Sequence, residues 1–145
     1  MTNNKKLRVG WFSFSCCEDS TIIFTELLND HFAMWKQMIE FVHFLPLQKK
    51  AELHDIDLAF IEGAVTSEEQ EKMVQKIRSV TKKVIAIGAC AVAGMPSGQR
   101  NFFDVTTKDE IAPILVRFAY APMVKKIADV ITVDEMVPGC PMDEN

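Results

Sequence analysis

The chain has 145 residues, a formal net charge of −4, and 48% apolar and 25% charged residues. That is one domain's worth of ordinary globular composition, so a single domain over residues 1–145 is expected, large enough to bury a core without covalent staples. The acidic balance argues against a nucleic-acid footprint, and the short apolar runs argue against a membrane-spanning helix.

In chain order, "MTNNKKLR" is polar, with neither a signal-peptide core nor a twin-arginine pair. "LRVGWFSF" (Leu7–Phe14) reads as a buried first strand. A helix is expected next, capped by Asp19 or Ser20, with Ile22, Ile23, Leu27 and Leu28 as its apolar residues. "HFAMWKQ" reads as a loop or a frayed helix end. "MIEFVHFLP" is a second strand, and "DLAFIEG" (Asp57–Gly63) a third, closed by its glycine. Thr66 and Glu69 form a capping-box pattern before a helix carrying Met73, Ile77 and Val80. "KVIAIGAC" is a fourth strand running to Gly88 and Cys90. "GMPSGQRNFFD" is a loop rich in breakers. "KDEIAPILVRFA" is helical in pattern, but Pro113 suits only a first turn. "APMVKKIADV" predicts a short helix with Pro122 at its first position, and "VITVDEMVPGCP" a last strand and turn.

Strands and helices alternate, and the strands are continuous apolar runs. The pattern predicts an α/β fold with a mainly parallel, doubly wound sheet. In such sheets ligands gather beyond the carboxyl ends of the strands. All four cysteines follow a strand: Cys16 and Cys17 the first, Cys90 the fourth and Cys140 the last. The chain is expected in the cytoplasm, where thiols stay reduced, so metal or redox chemistry is a better use for them than disulfides. Four thiolates suit a structural zinc or an iron–sulfur cluster. Zinc usually takes spaced pairs such as C-x-x-C, whereas an adjacent pair reaches separate corners of a cubane more readily than one ion. The spacing therefore favours the cluster, although Cys90 alone would pass for a small buried residue. Gly88, Gly94 and Gly139 allow close backbone approach, and Pro138 and Pro141 stiffen the last turn.

"DLAFIEGAVTSEE", "IGACAVAGMPSGQRN" and "VPGCP", in this order after a first-strand cysteine motif, resemble the small, iron–sulfur subunit of nickel–iron hydrogenases. The middle stretch is most similar to the cytosolic type. They also resemble the related cluster-bearing 20 kDa subunit of respiratory complex I. The resemblance runs from Leu7 to Pro141 and implies a flavodoxin-like, three-layer fold. It also implies one [4Fe–4S] cluster on Cys16, Cys17, Cys90 and Cys140, relaying electrons. The nickel–iron site is then expected on a partner large subunit, because no repeated C-x-x-C is present here. A further redox subunit is expected to take the electrons onward, since the chain ends soon after Cys140.

One departure stands out. Phe14 occupies the place of the first cysteine of the hydrogenase C-x-x-C, and the tandem pair is instead similar to the complex I subunit. A cluster with three cysteines and Glu18 or Glu62 is the alternative. Glu62 also reads as a carboxylate beside the cluster or as a helix-capping or solvated residue, Glu18 as a helix N-terminal carboxylate, and Arg100 as a counter-charge or a loop brace. His31, His43 and His54 do not group with the cysteines. Met34, Trp35, Met95, Phe102, Phe103 and Met142 are candidates for a partner surface, with the aromatic ones expected in the core.

Overall fold

The computed structural model describes residues 5–46 and 53–142. Five strands form one sheet in the order β2-β1-β3-β4-β5, every pair parallel. They are β1 (Leu7–Ser13), β2 (Ile39–His43), β3 (Ile56–Glu62), β4 (Thr81–Ile87) and β5 (Glu135–Val137). This is the flavodoxin-like order, with the reversal at the β1/β3 boundary. The helices are α1 (Asp19–Met38), α2 (Glu68–Ser79), α3 (Gly88–Ala93) and α4 (Val105–Arg117).

The alternation of strand side chains divides the core into two layers. Phe12, Ile61, Val84 and Ala86 pack with Val74 and Ile77 of α2, Ala91 of α3 and Ile127. Trp11, Phe44 and Ile87 pack on the opposite face with Phe24 and Leu28 of α1. Trp11 stacks on Phe24 with centroids 4.4 Å apart, and Phe24 on Trp35 at 5.5 Å. Each such side chain contributes roughly 1.5–3 kcal/mol by leaving water.

That stacking corrects the reading of "HFAMWKQ". The segment is helical, because Phe24, Leu28 and Trp35 lie on one stripe that α1 must continue to bury. The α2 cap falls one residue later than the capping box indicates. Ser67 Oγ accepts from Gln70 N–H at 3.2 Å, and the buried positions are Val74 and Ile77 while Met73 is exposed. Pro113 lies inside α4, tolerated because this helix buries none of its residues. The stretch after Pro122 forms only a 3-10 turn at Ile127–Asp129, its chain held open by pairing of Val65 with Lys125. Among the described residues no helix is long and apolar enough to cross a membrane.

A four-thiol cleft at the carboxyl edge of the sheet

The connections leaving β1, β4 and β5 meet at one edge, and Cys16, Cys17, Cys90 and Cys140 line a single cleft there. Asp19, Ser20, Glu62, Gly88 and Gly139 complete much of its wall. Cys90 is buried, Cys16 half-buried, and Cys17 and Cys140 are exposed at the mouth. All four thiols are free.

Each arm of the cleft has a local cause. After β1, Ser15 pairs with Ala64 through two backbone hydrogen bonds of 3.1 and 3.0 Å, fixing the base of the Cys16–Cys17 arm. Ser15 Oγ lies 2.7 Å from Thr66 Oγ1, and Gln70 binds both residues from below. Gly63 sits opposite at φ +90°, where a Cβ would come within 2.9 Å of the Phe14 and Ser15 backbone. After β4, Gly88 turns at φ +80° straight into α3, which carries Cys90. A Cβ on Gly88 would stand 3.1 Å from Ser20 Oγ. The Cys140 arm is tied down by Ala89 N–H donating to Gly139 O at 2.6 Å and by Met142 N–H donating to Ser20 Oγ at 3.3 Å.

Glu62 ends β3 and is 3% exposed. Its Oε1 accepts from Ser20 N–H at 2.9 Å and its Oε2 from the Thr21 hydroxyl at 2.5 Å. Because the one Thr21 hydroxyl proton goes to Glu62, Trp11 Nε1–H and Ser13 Oγ–H both donate to Thr21, at 2.8 and 3.2 Å. Glu62 therefore caps α1 from a neighbouring strand. The residue at the helix's own cap position, Glu18, has φ +63° and makes no side-chain cap.

The two adjacent thiols, Cys16 and Cys17, are pushed towards their protonated form. Burial above all pushes Cys16 up to about 12; Glu18 N–H opposes this, and the charges of Glu62, Cys90 and Cys17 reinforce it. For Cys17, Asp19 N–H pulls down, but the Asp19 carboxylate and partial burial outweigh it and the net direction is up. The Glu18 and Asp19 amides thus face the two adjacent sulfurs. Cys90 Sγ lies 3.2 Å from Ser97 Oγ, a partner that the sequence reading missed. Ser97 sits in a breaker-rich loop and nothing in its spacing marks it.

The donor set fits a soft metal group: four thiols from three chain segments, glycine turns at Gly88 and Gly139, and backbone N–H groups aimed at sulfur. Among the described residues no three His, Cys, Asp or Glu side chains close on one point as a single ion demands.

The other candidates lie elsewhere. Glu18 lines a different hollow with Trp11, Phe14 and His43. Arg100 stays outside the cleft. It donates to Ala121 O at 2.8 Å and lies 5.7 Å from the Tyr120 ring centroid, bracing the loop. Burial lowers its pKa. Phe14, at the place of the missing cysteine, packs on the core. Trp35 and Met142 also pack inward, whereas Met34, Phe102 and Phe103 are exposed, so the aromatic residues divide instead of all joining the core.

Fold and site together define a doubly wound α/β protein with a thiolate-donor cleft at its carboxyl edge. Residues 16–145 match the family described as "NADH ubiquinone oxidoreductase, 20 Kd subunit", and the chain belongs to that family. It is 32% identical to a subunit of the F420-non-reducing hydrogenase of Methanothermobacter marburgensis, over 94% of this chain and 49% of the relative. It is also 32% identical to the delta subunit of the NAD-reducing hydrogenase HoxS of Cupriavidus necator, over 59% of this chain and 49% of that subunit. The chain spans about half the length of these relatives. A solved chain of an NAD+-reducing [NiFe]-hydrogenase superposes with TM-score 0.80 over 94% of this chain and 84% of its own. At 22% identity, that likeness shows the fold.

Proposed function

We propose that the chain, acting as one domain over residues 1–145, is the electron-transfer small subunit of a cytoplasmic nickel–iron hydrogenase complex. In this reading Cys16, Cys17, Cys90 and Cys140 hold one [4Fe–4S] cluster. The partner large subunit carries nickel and iron, and another redox subunit takes the electrons onward. The observation that carries the reading is the meeting of all four cysteines at one cleft. The names of the relatives, both hydrogenase subunits, support it.

A cluster bound here supplies one-electron transfer without bond breaking. The chain's own groups do the rest. Cys90 and Cys16 anchor the inner side, where burial excludes water, and Cys17 and Cys140 hold the mouth that a partner would cover. Glu18 and Asp19 N–H groups donate to ligand sulfur. Both Glu62 oxygens are committed to α1 and Glu18 faces away, which favours four cysteine ligands over three and a carboxylate. A second reading, a complex I-like quinone or ferredoxin oxidoreductase subunit without hydrogen chemistry, is favoured by the tandem cysteines and by the matched family.

Anaerobic iron, sulfide and zinc analysis of the co-expressed complex, with EPR after reduction, tests the assignment. About four irons and four sulfides per chain are expected. Cys16→Ser should alter the EPR signal. Zinc, or no metal at all, would overturn the cluster reading; a signal indifferent to Cys16→Ser would remove Cys16 from the ligand set.

A further inference from the structure

We propose that Ser97 is a positioning residue for the Cys90 sulfur, turning its hydroxyl proton onto Sγ once that sulfur is an ionised ligand and so raising the reduction potential of the group in the cleft. The proposal rests on the cluster reading above.

Ser97 is brought to Cys90 by a tight reversal. Gly94 N–H donates to Cys90 O at 3.0 Å with Gly94 at φ +77°, and Gly98 N–H donates back to Gly94 O at 2.7 Å. A Cβ at Gly98 would overlap Gly94 O, so the close return needs glycine there. Asn101 then anchors the loop, its amide exchanging two 2.8 Å bonds with the backbone of Val124.

With Cys90 as a thiol, S–H donates to Ser97 Oγ, and Ser97 Oγ–H donates to Ser15 O at 2.9 Å. Metal binding releases the thiol proton to solvent. Ser97 then has one proton and two acceptors, and the ionised sulfur is the stronger. Ser15 O can give the bond up, because Ala64 N–H also donates to it at 3.0 Å. A hydrogen bond to ligand sulfur favours the more negative, reduced state and raises the potential. A purely structural Ser97 would keep its proton on Ser15 O and leave the potential alone.

The test is an EPR-monitored redox titration of the intact complex with wild type, Ser97→Thr and Ser97→Val. Thr and Val nearly match in shape and differ in the hydroxyl. Ser97→Thr should titrate as wild type. Ser97→Val should hold equal iron and sulfide but be roughly tenfold harder to reduce at a fixed potential, a shift of about 59 mV for one electron. An exchangeable proton coupled to the reduced centre should also disappear from its ENDOR spectrum. Equal potentials in Thr and Val variants with full iron would overturn the proposal and leave the cluster reading standing. Loss of iron from Val but not Thr would overturn it too, assigning Ser97 to assembly. Wild type without iron or sulfide would overturn the reading beneath it.

Discussion

Replacing Glu62 by glutamine tests whether a strand-end carboxylate holds the start of α1. The carboxylate accepts two hydrogen bonds, from Ser20 N–H and the Thr21 hydroxyl. Glutamine can present one oxygen and one NH2 group. With the oxygen on Ser20, the NH2 group can donate to Thr21 Oγ1 only if the Thr21 proton turns away to Ser13 Oγ, 3.2 Å off. With the oxygen on Thr21, two donors face each other at Ser20. Either way the two charge-assisted bonds to the carboxylate are lost or weakened, costing about 1–3 kcal/mol. Loss of a negative charge at a helix N-terminus adds about 1 kcal/mol. The sum is about 2–4 kcal/mol, or a fall of roughly 5–15 °C in Tm for a chain of this size. The assay is thermal and urea unfolding of the metal-free chain under reducing conditions. A cycle with Thr21→Val should return a coupling of about 1 kcal/mol or more. A loss below about 0.5 kcal/mol, on the scale of an ordinary surface change, would refute the cap.

Two further outcomes are expected. Gly63→Ala puts a Cβ against the Phe14 and Ser15 backbone at a positive φ, so it should cost about 3 kcal/mol or more in urea unfolding and lower iron loading through the displaced Cys16 arm. Asp134 accepts from Val84 N–H and Arg78 at 2.7 Å each, and these bonds hold its pKa below the unfolded value of 3.8. The folded chain therefore binds fewer protons near that pH. The stability Asp134 supplies is present above 3.8 and is lost as pH falls through its folded value. Asp134→Asn should lower stability at pH 7 and flatten the acid limb of a stability–pH curve; an unchanged limb would contradict this.

The strands were legible because burial on both faces makes them continuous apolar runs: β1 and β3 fall within a residue of their expected limits, while β4 stops at Ile87, three residues short of Cys90, because Gly88 turns the chain into α3. Cysteine placement followed from topology, since parallel strands deliver their carboxyl ends to one edge. What escaped was set by tertiary contact. Trp35 extends α1 because Phe24 is there to stack on it, a pairing that local pattern does not carry. Thr66 has the cap chemistry but commits its hydroxyl to Ser15 and Gln70, so Ser67 caps α2. Pro113 suits only a first turn by local pattern, which gives no sign that α4 stays unburied. Ser97 escaped because its contact with Cys90 is made by a loop reversal that nothing in the spacing marks, whereas a capping role for Glu62 was legible and only its partner, α1, was not.

The occupied start of α1 also explains why this fold carries thiols where related architectures cradle phosphate. In doubly wound sheets the first strand-to-helix turn offers helix N-terminal amides to an anion. Here the Ser20 amide is already bound to the Glu62 carboxylate, and the preceding amides of Glu18 and Asp19 face the Cys16 and Cys17 sulfurs. A phosphate entering this turn would meet a buried carboxylate instead of free donors. The same carboxylate charge helps to keep the free Cys16 thiol protonated. A bound cluster core would stabilise the thiolates by direct metal–sulfur bonding, although core and four thiolates together are net negative and gain nothing from the carboxylate. One buried acid therefore disfavours the fold's usual ligand, and what the cysteines hold must be held by metal–sulfur bonds and not by the field of the turn.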